Sequence, residues 1–174
     1  MPLPDDKLAG QGPLTKIGLG LGSNIGDKPA NIRRALALLE ERGIIRLCAV
    51  SSIYRTPPWG YEAQEFFANA CALGETRLRP LELLAAVNSI EMDMGRKPSV
   101  RWGPRLIDID ILFFGTEPFS DPKLSLPHKS LFDRDFVLIP LAEIAPNLEI
   151  SGRSIAEAVR SISGVPIQKW EDGA

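Results

Sequence analysis

The chain has 174 residues, 44% hydrophobic and 24% charged, with a formal net charge of -2. That length and balance fit one soluble globular domain with a core of its own, and they exclude a disordered chain or a small disulfide-stapled scaffold. The mild acidity speaks against a general nucleic-acid or anionic-membrane binder, so any polyanion site must be a focused basic pocket.

Taken in chain order, "MPLPDDKLAGQGPL" lacks the basic start and apolar core of a secretory signal and reads as a flexible tail over residues 1–15 before a single domain from 16 to 174. "KIGLGLGSNIGDK" opens with Ile17, Leu19 and Leu21 alternating, then breaks into turn residues, which predicts a strand entering a loop. Gly18 and Gly20 fit close backbone packing in that strand, and Ser23 and Asn24 read as loop contacts. The glycines do not form a nucleotide loop: Ser23 stands where G-x-G-x-x-G requires its third glycine, and no P-loop pattern occurs.

Asp27 as N-cap, Pro29 in the first turn, Ile32, Leu36 and Leu39 at helical spacing and Gly43 as a stop predict the first helix. "IIRLCAVSSIYRT" and "EFFANACALGETR" predict two strands around "PPWGYEAQ", a loop too long for a tight hairpin. Cys48 and Cys71 each lie in an apolar run and read as buried free thiols, in keeping with a reducing cytoplasm. Pro80, the periodic Leu83, Leu84, Val87, Ile90 and Met94, and Gly95 predict a second helix. "LIDIDILFFG" predicts the fourth strand, giving the order βαββαβ of a ferredoxin-like α+β fold, an antiparallel sheet with helices on one face. "FVLIPLAEIAP" and "RSIAEAVRSI" add short helices, and "VPIQKW" a closing strand. This plan brings three loops together, at residues 22–28, 56–66 and 95–105.

Within "RWGPRLIDIDIL", strand alternation puts Ile107, Ile109 and Ile111 on one face and Asp108 and Asp110 side by side on the other. Two like charges so placed repel unless a cation lies between or beside them. Arg96, Lys97, Arg101 and Arg105 make a basic cluster directly upstream. Carboxylates to hold magnesium and arginines to neutralise phosphates suit phosphoryl transfer, while a solvated edge strand and internal arginine-aspartate pairing remain the alternatives. One histidine and two separated cysteines exclude a nitrogen or sulfur zinc site, so any metal is held by oxygen. His128, with Lys123, Lys129 and Arg134 near it in sequence, forms a second basic group.

Five segments in order, "GSNIGD", "YRTPPWG", "FFANA", "RWGPRLIDIDIL" and "LPHKSLFDRDFVLIPLAEIAP", closely resemble the hydroxymethyldihydropterin pyrophosphokinases of folate biosynthesis. The resemblance runs from about residue 16 to residue 170. It implies a ferredoxin-like fold and transfer of the pyrophosphoryl group of ATP to the hydroxymethyl group of a reduced pterin, with release of AMP. It also implies two Mg²⁺ ions on Asp108 and Asp110, with Arg96 and Arg105 on the phosphates. The nucleotide would be held by Glu91, Trp102, Ile111, Lys123, Ser125, His128 and Arg134, and the pterin by Thr56, Pro57, Pro58, Trp59, Phe67, Asn69, Trp102 and Phe136. The partners expected are these two small substrates, with no nucleic acid and no membrane, for a cytoplasmic monomer. The chain departs from the family pattern at Asn88, Pro98, Leu106 and Lys129, each on the nucleotide side. A degenerate paralogue, or a ferredoxin-like module that binds nucleotide without transferring it, is the rival reading.

Overall fold

The computed structural model describes residues 3–57, 65–95, 105–162 and 167–171. Strand β1 (Thr15–Ser23) leads into helix α1 (Lys28–Glu41), then β2 (Arg46–Val50), β3 (Tyr54–Thr56), β4 (Phe67–Thr76), α2 (Pro80–Asp93) and β5 (Asp108–Phe114). Two hairpins follow, β6 (Phe119–Asp121) with β7 (Leu124–Leu126) and, beyond α3 (Asp135–Ile144), β8 (Glu149–Ile150) with β9 (Arg153–Ser154). Helix α4 (Ile155–Arg160) and β10 (Gln168–Lys169) complete the described chain.

The helix signals act as the sequence implies. The Asp27 carboxylate accepts from the Ala30 N–H at 3.1 Å and caps α1. At α2 the Glu82 carboxylate reaches back to the Arg79 N–H at 2.8 Å.

The sheet runs β5-β1-β4, with β2 and β3 both along the far edge of β4 and β10 outside β3; every pairing is antiparallel. This is the ferredoxin-like order, the second strand being split in two. The split has a local cause. The Cys71 N–H is satisfied by the Ser51 hydroxyl at 2.9 Å, a side chain standing in for the backbone carbonyl of a continuous ladder. Glu143 on α3 then accepts from the Ser52 N–H at 2.9 Å, the Ser52 hydroxyl at 3.1 Å and the Tyr54 phenol at 2.5 Å, pinning α3 to the break.

Alternation divides the core between two faces. Leu19, Leu21, Ala70, Ala72, Ile109 and Ile111 pack under Ile32, Leu39, Leu83, Val87 and Ile90 of α1 and α2. On the opposite face Cys71, Leu112 and Phe113 pack against Val137, Leu138 and Leu141 of α3 and Ile155 of α4. The carboxy-terminal helices therefore form a third layer. Leu112 and Phe113 share that face because the register slips by one residue, Gly18 pairing with Phe113 and Leu19 with Ile111. The slip lays the Phe113 ring over Gly18, where a Cβ would overlap it.

Two expectations are corrected. Cys48 is exposed on β2, and only Cys71 is buried; both are free, and burial foremost, then the Asp110 carboxylate, pushes the Cys71 thiol upward. The segment before β1 is packed along the fold: Leu8 is buried, the Ala9 N–H donates to the Gly43 carbonyl at 2.7 Å and the Gly12 N–H to that of Arg77 at 2.8 Å. Asp5 also pairs with Arg46, which bonds Glu75 on β4 at 2.8 Å. One apolar anchor and these separate polar contacts leave no periodicity for sequence reading to detect.

Gly18→Ala is expected to cost about 2 kcal/mol by overpacking, read as a lowered urea midpoint, and to be partly rescued by Phe113→Leu. Burial opposes ionisation of Glu143, but hydrogen bonds from Tyr54 and Ser52 outweigh it and hold its carboxyl below the usual range. A carboxyl so depressed stabilises the fold above its unfolded value, about 4.3, and that contribution is lost as pH falls through the folded value. Glu143→Gln should lower stability at neutral pH and flatten the acid limb of the stability profile; urea titrations at pH 7 and pH 4 that show an unchanged acid limb would count against the tie.

Candidate active site

Register places the site. Gly22 pairs with Asn69 on one side and Asp108 on the other, so these three form a row across β4, β1 and β5; Cys71, Gly20 and Asp110 form the next. Both rows lie on the face that α3 covers over Cys71 and Leu112. Toward the end of the sheet that face opens into a pocket floored by Gly20 and Gly22 and bounded by Thr56, Pro57, Phe67, Asn69, Arg105, Asp108, Asp110, Arg134, Phe136 and Val137.

The pocket has two chemically different ends. At one, Asn69 and Thr56 are buried and the Asn69 amide donates to the Thr56 hydroxyl at 2.6 Å. Asn69 Oδ1 lies so near Gly22 that a Cβ there would stand 2.7 Å from it. With Pro57, Phe67 and Phe136 beside it, this end suits a flat heterocycle with a hydrogen-bonding edge. At the other end Asp108 and Asp110 meet Arg105 and Arg134. Arg134 Nη1 donates to Asp110 Oδ2 at 3.3 Å, and its guanidinium carbon stands 5.5 Å from the centre of the Phe136 ring.

The roots of the three loops are tied together. The Asn24 N–H donates to the Arg105 carbonyl at 3.0 Å, and the Arg105 N–H to Asn24 Oδ1 at 2.7 Å. Lys28 pairs with Glu65 at 2.8 Å. From sequence Asn24 reads only as a loop contact; the structure makes it the clamp on the Arg105 backbone and places nearby Gly22 in the pocket floor, with "GSN" as the local signal.

Asp108 and Asp110 fit magnesium, which takes one or two carboxylates and leaves its remaining positions to water and phosphate oxygen. Among the described residues no cluster of three or more His, Cys, Asp or Glu side chains gathers as a closed ligand set.

Of the residues named from sequence, Thr56, Pro57, Phe67, Asn69, Arg105, Asp108, Asp110, Arg134 and Phe136 converge on this pocket. His128 lies outside the pocket lining but close enough to Asp108 and Arg134 to feel their charges: its backbone N–H donates to the Leu112 carbonyl, while Nδ1 accepts from the Ser130 N–H at 3.1 Å. In the neutral ring the proton therefore sits on Nε2. Burial foremost, then Arg134 and Lys129, pull the His128 pKa down against the opposing Asp108 carboxylate, so the ring is neutral at pH 7. Lys123 and Ser125 are exposed on the β6-β7 hairpin. Ile111 faces the core under α1 and α2, leaving its backbone as what it can offer a ligand. Glu91 is buried behind β5, where it accepts from the Ile109 N–H at 3.1 Å. Pro58, Trp59, Arg96 and Trp102 lie outside the described residues.

Comparison with known proteins agrees with this arrangement. The family model for 7,8-dihydro-6-hydroxymethylpterin-pyrophosphokinase matches residues 18–146. A protein of Methylorubrum extorquens named 2-amino-4-hydroxy-6-hydroxymethyldihydropteridine pyrophosphokinase is 46% identical over 158 residues, covering 91% of this chain and 100% of that one. A Bacillus subtilis protein of the same name is 42% identical over 155 residues, 89% of this chain and 91% of that one. The solved structure of wild-type HPPK-DHPS from Plasmodium falciparum with pteroate matches with a TM-score of 0.68 over 88% of this chain at 17% identity, a likeness of fold alone, and this chain spans 43% of it. With a family match over most of its length and relatives this similar end to end, the chain belongs to the 7,8-dihydro-6-hydroxymethylpterin-pyrophosphokinase family.

Proposed function

We propose that this protein transfers the β,γ-pyrophosphoryl group of ATP to the hydroxymethyl oxygen of 6-hydroxymethyl-7,8-dihydropterin in folate biosynthesis, releasing AMP. The observation that carries the reading is the pair of rows across β4, β1 and β5, which sets a buried amide and two carboxylates at opposite ends of one pocket with only glycines between them. Strands lie about 4.8 Å apart, so the two ends are roughly 10 Å from each other, room for a bicyclic ring and the start of a phosphate chain.

In this reading Asn69 and Thr56 bind the polar edge of the pterin, Phe67 and Phe136 flank its faces, and Pro57 closes its rim. Asp108 and Asp110 would hold magnesium, two ions by resemblance to the family. When bound, the metal supplies Lewis-acid polarisation of phosphate oxygens. Arg105 and Arg134 bring permanent positive charge to the phosphate end, where charge grows on the departing AMP. Neutral His128 offers Nε2–H as a hydrogen-bond donor to the nucleotide. In the transfer the hydroxymethyl oxygen bonds to the β-phosphorus, the bond from that phosphorus to the oxygen bridging to the α-phosphorus breaks, and the hydroxyl proton is released. No side chain becomes covalently attached, so the contribution of the protein is position and electrostatics. The same reading takes Arg96 as a second phosphate cation, Glu91 as a support acting through β5, and Lys123, Ser125, Ile111, Trp59, Pro58 and Trp102 as ligand contacts. It takes the protein as a cytoplasmic monomer; among the described residues no helix is long and apolar enough to cross a membrane.

AMP release from ATP and magnesium should depend on added hydroxymethyldihydropterin and fall by about 10²- to 10³-fold in both Asp108→Ala and Asp110→Ala. Wild-type protein that forms no pterin-dependent AMP would defeat the proposal. A Cβ on Gly20 meets only ordinary contact, 3.5 Å from a Leu112 methyl, so Gly20→Ala should fold normally. It places a methyl in the pocket floor, and the pterin KM should rise about tenfold at unchanged melting temperature.

A further inference from the structure

The carboxy-terminal strand lies outside residues 18–146, which match the family model, yet it borders the pocket wall. β10 pairs with β3, Gln168 opposite Arg55 and Lys169 opposite Tyr54, and the Trp170 N–H donates to the Ile53 carbonyl at 2.7 Å. β3 is only three residues long, and among the described residues β10 is the one strand along its outer edge. So short an outer strand has few bonds of its own to hold it.

Alternation gives the ends of β3 and β4 two different faces. Thr56 and Phe67, which pair in register, face the pocket; Arg55 and Phe66 face the other way. On that far side the Arg55 guanidinium stands 4.5 Å from the centre of the Phe66 ring and 6.0 Å from that of Trp170. The Lys28 ammonium stands 6.0 Å from the same indole and 2.8 Å from the Glu65 carboxylate. The start of α1, β3, the entry to β4 and the carboxy-terminal strand thus meet at one indole. The Lys28 side chain is only 11% exposed, and Trp170 packs against the main core, so this is a built junction.

We infer that Trp170 is a positioning residue for the pterin end of the pocket: with Arg55 stacked beside it, it fixes β3 against β4 and so holds the Thr56 hydroxyl where Asn69 donates to it. The inference rests on the proposed function for the identity of the ligand at Asn69. Trp170 does not line the pocket, and its contacts lie on the face away from Asp108, Asp110 and Arg134. Its influence is therefore confined to one substrate. A residue that only stabilised the whole fold would affect both.

The test is steady-state AMP release by full-length wild type, Trp170→Ala, Trp170→Phe and Arg55→Ala, with pterin and ATP varied separately and melting temperatures measured alongside. Trp170→Ala should raise the pterin KM about tenfold with kcat and the ATP KM within about twofold of wild type. Trp170→Phe, which keeps a ring face for both cations, should recover most of the loss, and Arg55→Ala should reproduce the pterin-selective rise. An unchanged pterin KM in the alanine variants, or equal rises in both KM values, overturns the inference while wild-type turnover leaves the proposed function standing. If Trp170→Ala does not fold, Arg55→Ala, an exposed position, decides the question by the same split in KM. Wild-type protein without pterin-dependent turnover removes the proposed function and this inference with it.

Discussion

The site depends on one constraint, the two-residue period of three adjacent strands held in fixed register. Because β1 pairs with β4 on one side and β5 on the other, Asn69, Gly22 and Asp108 must lie in a row, and moving one strand by one residue would turn its polar members into the core under α1 and α2. Burial of Leu19, Leu21, Ala70, Ile109 and Ile111 on the far face penalises that slip. At roughly 1.5–3 kcal/mol for each large apolar side chain, exposing the β5 pair alone would cost several kcal/mol, a large share of the net stability of a domain. The apolar face thus specifies where the carboxylates on the opposite face stand.

The glycines of β1 show how the same strand serves core and site. Gly18 is required by the Phe113 ring and Gly22 by the Asn69 side chain, whereas Gly20 meets nothing closer than an ordinary contact. Close packing, expected from sequence at Gly18 and Gly20, holds at Gly18 but not at Gly20, and Gly22 is the second glycine that packing requires. Gly20 keeps the floor of the pocket bare between a polar end and an ionic end, which only the three-strand register makes visible.

The parts legible in the sequence are those carried by local chemistry. Asp27 and Pro29 mark α1, Pro80 and Gly95 bracket α2, and alternation in β5 separates Ile109 and Ile111 from Asp108 and Asp110. The illegible parts arise from long-range substitution of one hydrogen-bond partner for another. Nothing local to Ser51 indicates that its hydroxyl will replace a ladder carbonyl, so the run from Ile44 to Thr56 reads as one strand and folds as two. The packing of Leu8 and Asp5 likewise depends on residues some 35 to 40 positions away, at Gly43 and Arg46. In the site, Thr56, Asn69, Asp108 and Arg134 come from separate segments that resemblance to a known family groups together, whereas nothing local to Asn24 marks its clamp on Arg105, 81 positions away.

A reaction driven by positioning needs its groups fixed before substrate arrives, and two of the strands that bear them, β3 and β5, would be the weak edges of the sheet. Each is reinforced from outside by a different means. Behind β5, where no further strand pairs among the described residues, the buried Glu91 carboxylate accepts from the outward-facing Ile109 N–H, in the peptide between the two aspartates. Beside β3, the two residues of β10 and the Trp170 amide supply the missing ladder. The middle strands β1 and β4 need no such support, since both of their edges are paired. In the proposed function, the structural demand of covering an edge strand and the chemical demand of holding a reacting group still are met by the same contacts, so residues outside the pocket would serve that function alongside those that line it.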